Sequence, residues 1–490
     1  MSLQVTNSLT GEREPFEPQD PDAVLLYYCG LTVSDDAHLG HARAWVHVDV
    51  MHRWLTHLGY DVRHVENFTD VNEKIVARVG EVGDDEREVA RHFIASVLDD
   101  MRALNLKRAE VYPRVTEHVP QIVELIETLV ENGYAYESNG SVYFDVTSFD
   151  EYGALSNQDV DEIESQGDPE ERGEKRHPAD FALWKADGVS AEAIAEHRDG
   201  KVPDDPPAGE TWDSPWGEGR PGWHVECSAM SMTHLGETID IHVGGEDLIF
   251  PHHENEIAQS EAATGERFAR YWLHVRLLET GGEKMSTSLG NYFYVDDAVS
   301  DLGTDAVRTF LLSTTYRSRQ DYSEAAVAEA VDRWEGFERA YERAVAAADS
   351  PDATTTVTDA RLREAVDATR TSFTESMNDD FNTRGALAAL ETLAGAINTH
   401  VDGHNEYDYR GLRRSIETFE TLGGDVLGLA FGRDGDGSAE IAREVVDLVL
   451  DLREREREAG NYARADALRD ELNALGIEIQ DTDDGPVAWF

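Results

Sequence analysis

Lysine is nearly missing from this chain: six of 490 residues, in a sequence whose 43 basic residues face 99 acidic ones for a formal charge of −56. A surface so one-sided repels itself in dilute buffer. It also lacks the broad basic face that nucleic-acid binding through counterion release normally uses. Cysteine is scarcer still, with Cys29 and Cys227 alone, too few for a disulfide framework. No apolar run approaches the roughly 20 residues of a membrane span, and MSLQVTNSLTGEREPFEPQD has neither the basic nor the apolar region of a signal peptide, so a cytoplasmic protein without membrane contact is expected. There is no internal repeat.

What is present argues against disorder. Hydrophobic residues make up 40% of the chain and amphipathic periodicity persists to its end. The acid excess fits a cytosol at molar salt, where the Debye length shrinks to ~3 Å and self-repulsion is screened, and it reads as the signature of an extreme halophile. The length suggests roughly three or four domains.

AVLLYYC, Ala23 to Cys29, reads as a fully buried strand broken by Gly30. Ser34-Asp35-Asp36 is suited to cap the helix that follows, in which Val50, Trp54 and Leu58 recur at i+4 until Gly59 closes it; DVRHVENF then returns as a second strand. This is a βαβ unit. HVPQIVELIETLVENGY (helix) and YAYESNGSVYFDV (hairpin) open a segment that looks inserted, since strand and glycine signals resume only at GRPGWHVECSAM and IDIHVGGEDLIF. Beyond Tyr316 the pattern is helical, with one stripe at Leu387, Leu390, Leu393 and Ile397 and another at Val445, Leu448, Val449 and Leu452; ALGIEIQDTDDGPVAWF suggests a small terminal strand unit.

Three motifs carry chemistry. His38-Leu39-Gly40-His41 lies where the first strand feeds a helix N-terminus, a place that favours anions, with imidazoles able to donate to phosphate oxygens and Gly40 allowing close approach. EKMSTSLGN, Glu283 to Asn291, supplies Lys284 and hydroxyls suited to the β- and γ-phosphates of ATP. Cys29, Cys227, His252 and Glu256 form a set that Zn²⁺ accepts, His252 and Glu256 sharing one face of a helix started at Pro251; read otherwise, the histidines are polar helix-start residues and the cysteines inert thiols.

Taken in order, these motifs together with ENFTDVNEKI, DFALWK, FPHHENEIAQ, YRSRQDYSE, SMNDDFNTRGAL and ARADALRDELNALGIEIQD resemble the cysteinyl-tRNA synthetases, a class I aminoacyl-tRNA synthetase family, through nearly the whole chain. The resemblance implies an α/β fold: a Rossmann-type catalytic domain (1–114 and 221–275) split by a connective insertion (115–220), a KMSKS-type loop segment (276–320), a mostly α-helical bundle (321–435) and a small C-terminal anticodon-binding domain (436–490). It implies attachment of L-cysteine to tRNA(Cys) through a cysteinyl-adenylate, with ATP and Mg²⁺ as co-substrate, one zinc per chain on Cys29, Cys227, His252 and Glu256 that also meets the substrate thiolate, and a monomer. Thr69 and Trp223, with Cys29, match amino-acid pocket positions. His38, His41 and Lys284 match catalytic positions, and Gly40, Gly245, Asp247, Lys284 and Thr287 match positions around ATP.

Departures are local. Thr287 stands where the family's loop carries a second lysine, Val243 replaces the first of a glycine run before Asp247, and Arg384 replaces a proline. About 20 extra residues around KADGVSAEAIAEHRDGKVPDDPP are expected to form a solvated loop. Arg453, Arg455, Arg457, Arg464 and Arg469, with Trp489, are expected at the anticodon end, where they either contact RNA or pair with interleaved glutamates. A related ligase that joins cysteine to an amino sugar shares the three motifs but lacks the C-terminal matches.

Overall fold

The computed structural model describes residues 2–163, 173–198, 206–285 and 291–431, and beyond 448 scattered positions with the strands Glu478–Thr482 and Gly485–Trp489. Thr287 and most of the stripe begun at Val445 lie outside the described residues. The chain divides into two compact units, 1–429 and 430–490.

In the first unit a four-stranded parallel sheet is built from β1 (Ala23–Tyr28), β2 (Asp61–Glu66), β3 (Ile239–Gly245) and β4 (Ala269–Val275), in the order β4-β3-β1-β2. Its helices include α1 (Leu39–His57), α2 (Trp223–Leu235) and α3 (Glu254–Thr264). The chain leaves β1 toward β2 and later returns on the other side of β1 as β3. The crevice beyond the C-terminal ends of β1 and β3 is therefore a topological switch point, where open α/β sheets bind ligands. AVLLYY lacks polar alternation because β1 is an inner strand; Val24, Leu26 and Tyr27 are fully buried.

Between the halves of this sheet, the helix Val115–Glu131 lies against a five-stranded antiparallel sheet. Its central strands are Ser141–Phe144 and Phe181–Ala186, and its apolar face shares one core with Val225, Ala229 and Met230 of α2. The presumed loop after Lys185 is partly built into the fold. Ala191–His197 is a helix whose Ile194 packs with Val76, Ala77 and Val189, and Arg198 donates to the carbonyls of Ala77 and Val79. An acidic sequence read as solvated thus hides one apolar anchor.

Past β4, Leu278–Thr280 and Glu283–Lys284 form a hairpin whose two turn residues, Gly281 and Gly282, both take positive φ (62° and 85°), and Gln320–Tyr322 adds a parallel third strand. The helices Glu324–Ala348, Ala360–Asn378, Thr383–Gly403 and Tyr409–Thr418 then pack on one another, and the stripe read at Leu387, Leu390, Leu393 and Ile397 is buried. The second unit contains an antiparallel hairpin of Glu478–Thr482 on Gly485–Trp489, as its sequence suggested. Among the described residues no helix is long and apolar enough to cross a membrane.

Candidate active site and metal centre

Cys29 follows β1 directly, and its N–H donates to Val243 O of β3. Gly30 then passes so close to the neighbouring loop that a Cβ there would lie 1.8 Å from Asn67 O, which is why the strand must break at glycine. Asn67 Oδ1 accepts from Gly30 N at 2.9 Å and from the Tyr27 hydroxyl at 2.9 Å, while its amide donates to Thr69 Oγ1 at 3.3 Å. Thr69 is thereby fixed, buried, beside the end of β1.

The two cysteines and the helix-borne pair converge. Cys29 Sγ is 3.5 Å from Cys227 Sγ and 3.4 Å from His252 Nε2, and His252 Nε2 is 3.1 Å from Glu256 Oε1. All four residues are buried, and one ligand atom from each lies within 4.8 Å of the others. Tetrahedral Zn²⁺ with its usual bond lengths sets edges of about 3.8 Å for S···S, 3.6 Å for S···N and 3.4 Å for N···O. The observed separations match this cage within a few tenths of an ångström. Glu256 Oε1 completes no hydrogen bond among the described residues, leaving a carboxylate lone pair aimed at the same space. These residues fit a zinc ion.

The helix start differs from the sequence reading. α3 begins at Glu254, and His252 sits in the wide turn Ile249–His253 before it, yet the i, i+4 pair still meets. Burial opposes charge on His252, but contacts with Cys227 and Glu256 push it up to about 10. The bond to Cys29, then burial, raise the Cys227 thiol well above its ordinary value. Burial would raise Glu256 too, yet His242 and His252 hold it below the usual carboxylate range.

A second layer that the sequence reading missed orients the first. His224 Nδ1 lies 3.0 Å from His252 Nδ1, leaving Nε2 to the cage, and His242 Nε2 lies 3.1 Å from Glu256 Oε2. His253 Nδ1 meets His274 Nε2 at 2.9 Å behind them. Trp223, 40% exposed, sets its indole against His252 at a tilt of 47°, with ring centroids 4.5 Å apart.

His38, rather than the Ser34-Asp35-Asp36 run, is the N-cap of α1. Its Nδ1 accepts from Gly40 N at 3.0 Å, and His41 Nδ1 accepts from His38 N at 3.3 Å. A side chain at residue 40 would press on that ring, since its Cβ would fall 2.7 Å from His38 Cε1. Burial, then the Lys284 ammonium, lower His38 to about 4, and burial holds His41 well below its ordinary value. Both imidazoles are therefore neutral near pH 7. With each Nδ1 already an acceptor, each proton sits on Nε2, and the pair presents two neutral donors.

Lys284 Nζ reaches Asp247 Oδ2 at 2.7 Å, two residues beyond Gly245 at the end of β3. Asn291 Nδ2 donates to Lys284 O at 3.0 Å. Leu39 N donates to Phe293 O at 2.9 Å and Val295 N to Ala37 O at 3.0 Å, tying residues 293–295 to the start of α1. His38, His41, Lys284, Asp247 and the cage thus gather at the C-terminal ends of β1 and β3.

The parallel α/β sheet, with its histidine-capped helix and lysine hairpin at the switch point, lies within a class I aminoacyl-tRNA synthetase catalytic domain, as the family match shows. Residues 15–332 match the family described as tRNA synthetases class I (C) catalytic domain, and residues 372–432 match the DALR domain. Two curated relatives named cysteine–tRNA ligase, from Haloarcula marismortui and Halobacterium salinarum, are 69% and 63% identical over 99% of this chain and 99% of their own. The chain belongs to the cysteine–tRNA ligase family. In fold it is similar to the Mycobacterium tuberculosis methionyl-tRNA synthetase in complex with methionyl-adenylate, at TM-score 0.58 and 17% identity over 83% of this chain and 89% of that one.

Proposed function

We propose that the chain activates L-cysteine with Mg²⁺-ATP as cysteinyl-adenylate and transfers the cysteinyl group to tRNA(Cys), with zinc on Cys29, Cys227, His252 and Glu256. The observation that carries this reading is the buried two-sulfur, one-imidazole, one-carboxylate cage beside the histidine pair and Lys284. Zinc, when bound there, supplies a soft acceptor for the substrate sulfur, a basis for rejecting serine that an apolar pocket lacks.

The chain's own residues do the rest. Thr69 and Trp223 border the amino-acid side of the crevice, and Gly40, Gly245 and Asp247 border its nucleotide side. The cysteine carboxylate attacks the α-phosphorus, forming the mixed anhydride as the bond to the β-phosphate oxygen breaks. Nε2–H of His38 and His41 and the ammonium of Lys284 donate to phosphate oxygens as pyrophosphate departs, and Thr287 adds a hydroxyl. The terminal ribose hydroxyl of the tRNA then attacks the activated carbonyl and AMP leaves. No protein nucleophile is required.

Residues 115–220 act in this reading as the connective insertion, 276–320 as the loop segment, 321–435 as the bundle and 436–490 as the anticodon-binding domain of a monomer. A match to the DALR domain and full-length similarity to ligases of tRNA support tRNA over an amino sugar as acceptor. The test is charging of total tRNA with radiolabelled cysteine in molar KCl with Mg²⁺-ATP. Charging is expected; its failure with folded, zinc-loaded protein favours the amino-sugar ligase.

A further inference from the structure

We infer that Arg43 is a positioning residue whose guanidinium fixes the helix begun by His38 against the small sheet that carries Lys284, and so sets the spacing of the two phosphate-binding elements. This rests on the ATP reading above.

Arg43 lies two residues past His41 on α1 and is 1% exposed. Each of its five N–H donors has an acceptor. Nε donates to Arg276 O at 2.9 Å, Nη1 to Leu311 O at 3.2 Å and to Gln320 Oε1, and Nη2 to Thr315 O at 3.0 Å and Ser318 O at 2.6 Å. None of the five is a carboxylate. Burying a guanidinium against carbonyl dipoles alone is costly, and filling the core would need only an apolar side chain. What the arrangement provides is geometry, because a planar fork fixes direction at five points where an ammonium would fix three.

Four of the five acceptors, on Arg276, Thr315, Ser318 and Gln320, lie in the two segments that lead into the small sheet, and the fifth, Leu311 O, is on the helix Thr304–Leu312. Arg276 ends the run out of β4, and its N–H donates to Tyr316 O at 2.7 Å. Gln320 N donates to Leu277 O at 3.2 Å, and Gln320 Nε2 to Phe310 O at 2.6 Å. Gln320–Tyr322 pairs with Leu278–Thr280, which pairs with Glu283–Lys284. An unbroken hydrogen-bonded path therefore runs from Arg43 to the backbone of Lys284.

Cysteine-dependent ATP–pyrophosphate exchange by the full-length, zinc-loaded protein in molar KCl tests this, on wild type and on Arg43→Lys, Gln320→Met and Gln320→Glu. Because displacements near 1 Å are expensive in catalysis, Arg43→Lys and Gln320→Met should lower kcat at least about tenfold and raise KM for ATP about threefold or more. KM for cysteine and zinc content should stay within about twofold, since the cage is held by other elements. Gln320→Glu keeps the acceptor for Nη1 but gives up the donor to Phe310 O, and should recover part of the loss of Gln320→Met. Should Arg43→Lys not fold, the contrast between the two Gln320 variants decides. The positioning role is overturned if activity falls only with the folded fraction, or if KM moves alike for both substrates. A wild type without exchange overturns the ATP reading itself.

Discussion

The sulfurs of Cys29 and Cys227 lie 3.5 Å apart although 198 residues separate them in the chain. They are the chain's whole complement of cysteine, and the fold spends both on one point below the crevice. Purified protein should hold one zinc per chain. Cys227→Ser, nearly isosteric in a buried position, should lose most of that metal and at least ~100-fold of cysteine-dependent exchange, because the hydroxyl is a poor replacement for thiolate. Metal analysis beside exchange kinetics checks both, and full zinc with full activity in the variant would sink the assignment.

Lys284 is positioned by a hairpin rather than by burial, so its replacement should spare the fold. Lys284→Ala should reduce adenylate formation by roughly 10²–10³, the usual cost of removing a charge-stabilising donor, while zinc content is unchanged. Thr287→Lys should be neutral or activating. A large drop in exchange on adding that second lysine would separate residue 287 from the phosphate site.

Buried histidines give the protein a distinctive response to acid. Burial lowers His64 to about 3 and His38 to about 4, against 6.5 for an ordinary imidazole. Such a group takes up its proton in the unfolded chain first, so its stabilising contribution is complete above pH 6.5 and is lost as pH falls toward 4. Glu66, held up to about 8 by burial against an ordinary 4.5, works in the opposite sense between those values, which overlap the histidine window, so the comparison must be between variants. His64→Gln should flatten the stability curve below pH 6.5 by up to about 1.4 kcal/mol per pH unit, the limiting slope of one proton. Denaturant melts across that window measure it, and parallel curves would exclude the mechanism.

Much of the site was legible because its signals are local. H-x-G-H, following an apolar run, fell at the start of α1, and i, i+4 spacing paired His252 with Glu256 even though the helix starts three residues later than Pro251. His224, His242 and His274 were not legible, because they come from a helix and two strands that meet only in the folded sheet. A usable signal existed: six of the 18 histidines fall between residues 224 and 274, a density that polar surface does not require. Arg43 was hidden for another reason. Its acceptors are backbone carbonyls, which no side-chain pattern advertises.

Arg308 poses the sharpest stability test. It is fully buried, its Nη2 meets Asp49 Oδ2 at 2.6 Å, and it donates to Leu104 O and Leu427 O, so one guanidinium joins α1 to the segments before and after the hairpin region. Arg53 also contacts Asp49, at 2.8 Å, but from a side chain that ends at Asp425 O and Asn105 O. Removing Arg308 strands a buried carboxylate half-paired and leaves two carbonyls without donors. Arg308→Met should therefore destabilise the first unit by about 3–5 kcal/mol, the typical cost of breaking a buried pair from one side. Adding Asp49→Asn should recover part of it, since the remaining amide carries no charge to strand. Equilibrium unfolding of the single and double variants in molar KCl measures the coupling, and strict additivity would mean that Arg308 acts through its carbonyl contacts alone.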